Sequence, residues 1–197
     1  MISIYNIKPK FQQLLRPILV KLHGMGVTAN GITWSAIILS FCIGGLFYWK
    51  PSGVMLIVLP ISLLLRMALN ALDGMMARTY NMQSKKGELL NELGDVLADI
   101  TLFLPLILLP GLHPLVLIGF VVLGVVNEFT GVLAKAITGE RRYDGPMGKS
   151  DRALLVGITL LLLYFFPEIK IALNTIFGVG SLLLVISTAV RIKKTLQ

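Results

Sequence analysis

The 197-residue sequence is 55% hydrophobic and only 14% charged, with a mean hydropathy of +0.82. That composition excludes an ordinary soluble domain, which needs more charge to clothe its surface. The net charge of +8 invites a nucleic-acid reading, but its distribution along the chain makes that reading unnecessary.

The first expected element is a basic amphipathic helix over residues 7–22. Phe11, Leu14, Leu15, Ile18, Leu19 and Leu22 recur at helical spacing, while Lys8, Gln12 and Arg16 occupy other faces. Such a helix suits the headgroup plane of a membrane. Pro17 falls inside it and is expected to kink or interrupt it. His23, Gly24, Gly26 and Thr28 then separate it from the first apolar span. A cleavable signal peptide is not expected, because no compact apolar core followed by small residues opens the chain.

Six apolar spans are expected, at residues 31–49, 54–76, 89–109, 115–134, 153–166 and 171–190. Most approach the roughly 20 residues a helix needs to cross a bilayer. The connections alternate in character. Those around Lys50-Pro51-Ser52-Gly53, residues 110–114 and Pro167-Glu168 are short turns, whereas 79–87 and 138–152 are longer and polar. Placing the N-terminus in the cytoplasm puts fifteen of the eighteen Lys and Arg residues on the inner side, Lys50, Arg66 and Lys170 excepted. This asymmetry sets both termini inside. Cys42, the single cysteine, lies in the first span, so no intramolecular disulfide forms. The chain reads as one domain over 1–197, an interfacial segment over 1–30 and a six-helix bundle over 31–197. The fold class is all-α integral membrane protein. Trp34, Tyr48 and Trp49 read as interfacial belt residues.

Ionisable groups inside membrane helices are costly and mark functional sites. In the second span Asn70, Asp73, Gly74 and Ala77 follow Arg66 at offsets of 4, 7, 8 and 11 residues. In the third, Asn91, Glu92, Asp95 and Asp99 follow Glu88 at offsets of 3, 4, 7 and 11. At 3.6 residues per turn each set returns to one helix face. The two stripes flank a short loop, so the helices are expected to pack side by side with the stripes facing. Oxygen donors of this kind suit hard cations that hold phosphate groups. Metal-assisted phosphate chemistry at the lipid–water boundary is the reading that results. A helix–helix interface tied by hydrogen bonds accounts for Asn70, Asn91 and Gly74, but not for four acids within twelve residues. Arg66 is open to two readings, a pair with an acid such as Asp99 or a ligand for an anionic acceptor. Glu128, beside Asn127, reads as the partner of a cation within the bundle. Lys149 and Arg152, next to the fifth span, are candidates for acceptor binding.

The run Asp73-Gly74-Met75-Met76-Ala77-Arg78, eight residues, Gly87, three residues, position 91, three residues, Asp95 resembles the signature of the CDP-alcohol phosphatidyltransferases. Ala29-Asn30-Gly31-Ile32-Thr33 is similar to that family's P-N-x-[IL]-T element, with Ala in place of Pro, and Gly148-Lys149 matches its approach to the fifth span. The resemblance implies a phosphotransferase. A phosphatidyl group passes from CDP-diacylglycerol to a small polar alcohol, and CMP leaves. It also implies Mg²⁺ or Mn²⁺ as cofactor, membrane lipids as surroundings and a homodimer. Carried over, Asp73 and Asp95 ligate metal and Asp95 serves as general base. Gly74, Ala77, Arg78 and Gly87 line the CDP pocket, Asn30 and Thr33 bind substrate as well, and Lys149 and Arg152 remain the candidates for the acceptor side.

The sequence departs from the signature at two of four acids, where Asn70 and Asn91 stand. Glu88, Glu92 and Asp99 lie on the same face as candidates to compensate. Three outcomes are open: an active variant with altered metal demand, a one-metal enzyme, or a silent lipid- or nucleotide-binding homologue. The first is favoured, because Asp95, Arg78 and the glycines survive. An ion-coupled transporter is the reading from another class; it calls for a broken helix or an internal repeat. Glycerol 3-phosphate is the first acceptor expected, given the basic stretch with Arg141, Arg142, Lys149 and Arg152. The expected location is a bacterial inner membrane, with the site on the cytoplasmic side.

Overall fold

The computed structural model describes residues 8–197, and side chains from Phe11 onward; a helix start at Ile7 and the side chain of Lys8 lie outside the described residues. Among the described residues seven α-helices occur in order: α1 Lys8–Gly24, α2 Ala29–Trp49, α3 Met55–Thr79, α4 Lys85–Phe103, α5 Pro114–Thr138, α6 Lys149–Phe165 and α7 Leu173–Thr195. The 3-10 segments Leu104–Leu108 and Pro167–Ala172 extend α4 and precede α7.

Helix starts are set by local capping chemistry. The Thr28 hydroxyl accepts from the Gly31 amide at 3.1 Å to open α2, and Ser84 accepts from Gly87 at 3.0 Å to open α4. Each satisfies an amide that has no partner within its helix. Asp151 accepts from the Gly148 amide at 2.8 Å at the head of α6. The α3–α4 loop is correspondingly shorter than the sequence suggests, since both helices run past the apolar spans to leave only residues 80–84.

Helix α1 runs through Pro17 without interruption. Its apolar set divides. Leu15 and Leu19 are buried with Ile32, Leu72 and Met76, whereas Leu14 and Ile18 are exposed. His23 stacks on Tyr80, ring centroids 3.5 Å apart, tying the end of α1 to the end of α3.

Helices α2, α3, α5 and the stretch Pro167–Thr195 are long and apolar enough to cross a membrane. Their outward side chains, among them Phe41, Leu64, Leu115, Phe129 and Leu182, are exposed. In a bilayer such a surface faces lipid and calls for no polar cover. Of the six expected spans, α4 and α6 do not meet that length-and-composition test. The first carries the acidic stripe and the second has only 17 residues.

Helix packing departs from expectation at one place. The closest pairs are α5 with α7, α2 with α3, α2 with α4, and α3 with α6. Helices α3 and α4 make no extensive backbone contact although a five-residue loop joins them. Helix α2 lies against both, so their stripes face each other across a cleft. Small residues make this possible. A methyl group on Gly44 of α2 would sit 2.8 Å from the carbonyl carbon of Thr101. The main core gathers Leu59, Leu63, Leu106, Phe120, Val156 and Phe177 from α3, α5, α6, α7 and the 3-10 turn.

Candidate active site

The cleft between α3 and α4 is lined by Thr33 of α2, Arg66 and Asn70 of α3, and Asn91 and Asp95 of α4. Asp95 is buried and held from three sides. The Asn70 amide donates to its Oδ1 at 2.9 Å, the Lys149 ammonium donates to its Oδ2 at 2.5 Å, and Arg66 reaches its Oδ1 at 3.4 Å. Asp73 accepts the Thr33 hydroxyl at 3.0 Å. The helical phase that groups these residues in the sequence therefore also brings them together in space.

From Asp95 a chain of alternating charge runs through the bundle. Arg66 donates to Asp99 Oδ1 at 2.7 Å, and Arg152 donates to Asp99 Oδ2 at 2.7 Å. Arg152 also donates to Glu128 at 3.1 Å, Arg141 to Glu128 at 2.8 Å, and Arg141 pairs with Glu92 at 2.7 Å. Arg191 lies 3.9 Å from Glu128 and donates to the Asn127 carbonyl at 2.5 Å. Every member finds an opposite charge, which is what makes burial of so many ions tolerable. Burial opposes the charge of Arg141, but Glu128, Tyr143 and Glu92 hold its pKa above the ordinary arginine value.

The remaining candidates have definite places. Asn30 packs on Gly87, where a methyl group would come within 2.6 Å of Asn30 Oδ1. A side chain at position 87 would displace the Asn30 amide, the end of a flexible side chain, rather than backbone. The guanidinium of Arg78, at the exposed end of α3, folds back over Gly74, with Ala77 half-buried beside it. Lys149 reaches the cleft. Arg152 does not: it is 1% exposed and engaged by Asp99 and Glu128. Arg66 takes the first of its two readings, the pair with Asp99.

The acids proposed to compensate for Asn70 and Asn91 are otherwise engaged. Glu88 pairs with Lys135, Glu92 with Arg141, and Asp99 with Arg66 and Arg152. Glu128 partners cations within the bundle as its place in the sequence suggests, meeting Arg152, Arg141 and Arg191. That these three arginines are the ones to converge was not legible, since Arg141 and Arg191 counted toward the charge asymmetry and Arg152 read as a candidate for acceptor binding.

A family model described as CDP-alcohol phosphatidyltransferase matches residues 26–191. The chain belongs to the CDP-alcohol phosphatidyltransferase family. Among curated relatives, the inner membrane protein YnbA of Escherichia coli K12 is 44% identical over 182 residues, covering 92% of this chain and 90% of that one. The fold is similar to that of the phosphatidylinositol phosphate synthase PgsA1 of Mycobacterium tuberculosis. With CDP-DAG bound, that structure has a TM-score of 0.77 at 20% identity, covering 93% of this chain and 94% of that one. In complex with manganese and citrate it has a TM-score of 0.77 at 20% identity, covering 92% and 88%. The chain is thus an integral membrane protein of a transferase family.

For a CDP-alcohol phosphatidyltransferase the donor set is unusual. Two dications would bring four positive charges to two carboxylates, Asp73 and Asp95, and Asp95 already faces Lys149 and Arg66. Among the described residues no three His, Cys, Asp or Glu side chains converge as a metal cluster. The residues present do not fit a metal pair. The charge of the two carboxylates matches that of one hard cation rather than two.

Proposed function

We propose that this protein transfers a phosphatidyl group from CDP-diacylglycerol to a small alcohol, releasing CMP, as a step in phospholipid synthesis. The observation that carries the proposal is the Asp73 to Asp95 signature, spread over two helices whose polar faces meet across one cleft. In this reading all six helices from α2 to α7 span a bacterial inner membrane, and α1 lies in the headgroup plane. Both termini and the cleft face the cytoplasm. The chain is one domain and works as a homodimer.

The alcohol oxygen attacks the phosphorus that bears the diacylglycerol. The bond from that phosphorus to CMP breaks, and CMP departs with the electron pair. Asp95 takes the proton of the hydroxyl, which must come within hydrogen-bond reach of its carboxylate. Asn70 and Lys149 orient that carboxylate. Asp73, Asp95, Asn70 and Asn91 would hold Mg²⁺ or Mn²⁺, which supplies polarisation of the phosphoryl oxygens. Asn30, Thr33, Gly74, Ala77, Arg78 and Gly87 receive the CDP group. Arg152 acts on the acceptor side only indirectly, through Asp99, which also holds Arg66 beside Asp95. Glycerol 3-phosphate is the acceptor proposed first. Arg141 and Arg152 are largely buried among carboxylates, so Arg142 and the more accessible Lys149, which also meets Asp95, are the cations assigned to its phosphate.

A silent CDP-lipid-binding homologue is the second reading, favoured by the Asn70 amide that donates to Asp95. Purified protein with radiolabelled CDP-diacylglycerol, Mg²⁺ or Mn²⁺ and a panel of alcohols separates the two. A labelled phospholipid formed with one acceptor supports transfer. No product with any acceptor, beside an active family control, rejects it.

A further inference from the structure

We infer that this cleft holds a single divalent ion, the ammonium of Lys149 and the guanidinium of Arg66 carrying the positive charge that a second ion would otherwise bring. The inference rests on the transferase reading for the identity of the phosphate ligand alone.

Three observations carry it. First, the cleft is lined by one carboxylate, Asp95, and two neutral amides, Asn70 and Asn91, and the second signature carboxylate, Asp73, is joined to it through the Thr33 hydroxyl. Two carboxylates balance one dication and leave a second without compensation, and uncompensated charge in a low-dielectric site is costly. Second, Asn70 turns its amide nitrogen toward Asp95 at 2.9 Å. A donor directed at that carboxylate occupies a lone pair that a metal would use. Third, fixed cations already stand at the same carboxylate: Lys149 at 2.5 Å and Arg66 at 3.4 Å.

Neighbouring acids do not restore the balance. Asp99 is shared by two arginines, Glu92 is paired with Arg141, and Glu88 is paired with Lys135. Recruiting any of them would break a pair and strand a cation. Lysine provides charge without fixed coordination geometry, and arginine adds a planar fork. Lys149, partly accessible, is suited to a pyrophosphate beside a lone dication, while Arg66, buried and paired with Asp99, contributes its charge at Asp95.

The test is a count. Purified wild-type protein in detergent, with CDP-diacylglycerol present, is titrated with Mn²⁺, and free ion is followed by electron paramagnetic resonance. One Mn²⁺ per chain is expected. The N70D/N91D double variant should bind two, or bind the first at least tenfold more tightly. Lys149→Met should also tighten Mn²⁺ binding several-fold, because it removes a cation competing at Asp95. Should the double variant fail to fold, Asn91→Asp alone is expected to tighten Mn²⁺ binding. Two Mn²⁺ per wild-type chain, none, or weaker binding in Lys149→Met would overturn the inference. CMP release measured on the same samples is a separate readout. Its absence with every acceptor would reject the transferase reading and leave the metal count to decide this one.

Discussion

Arg152 lies between Asp99 and Glu128, donating to one at 2.7 Å and to the other at 3.1 Å from a side chain that is almost wholly inaccessible. Helix α6 is thereby tied to both α4 and α5. Removing Arg152 leaves Asp99 to Arg66 alone and Glu128 to Arg141 and the more distant Arg191, so the cost approaches but does not exceed the about 3–5 kcal/mol of a fully unpaired buried charge. Arg152→Leu should therefore lower the unfolding midpoint in detergent by many degrees. A variant that keeps wild-type stability and loses only turnover would place Arg152 at the substrate instead.

Lys149 has the opposite character. Its side chain is partly accessible and its ammonium meets Asp95 at the edge of the cleft. Hydrogen bonds to charged groups contribute about 1.5–3 kcal/mol. Lys149→Met is accordingly expected to lower kcat/KM by roughly 10- to 100-fold, with little change in the unfolding midpoint. Steady-state CMP release and a melting curve on one preparation check both halves.

Close approach of α2 to α4 rests on Gly44. A methyl group there would sit 2.8 Å from the backbone carbonyl carbon and Cγ2 of Thr101, whereas one on neighbouring Gly45 would meet nothing within 4 Å. Overpacking of this kind costs about 1–3 kcal/mol. Gly44→Ala should destabilise the fold and Gly45→Ala should be near neutral, as measured by thermal unfolding.

Much of the site was legible because it depends on local arithmetic. Arg66, Asn70 and Asp73 share a face by the pitch of one helix, as do Asn91, Asp95 and Asp99, and no tertiary information is needed to see it. The helix starts at Thr28 and Ser84 rest on equally local capping chemistry, yet the loop read over 79–87 passed over Ser84. What stayed hidden depends on which helices meet. The insertion of α2 against both α3 and α4 is decided by small residues such as Gly44, whose partner Thr101 lies far along the chain. Arg152 and Arg191 counted toward the charge asymmetry of the loops, yet both fold inward to Glu128 and Asn127. A charge count gives the side of a membrane and says nothing about the partner.

Asp95 carries the central claim, and release of CMP from CDP-diacylglycerol tests it most directly. Wild-type protein and Asp95→Asn are compared with the acceptor panel at saturating Mn²⁺, each first shown to be folded by its melting curve. General-base catalysis contributes about 10²- to 10⁴-fold, so a loss at least that large is expected in Asp95→Asn at unchanged stability. Equal CMP release by the two proteins, or none from the wild type beside an active family control, would contradict the account.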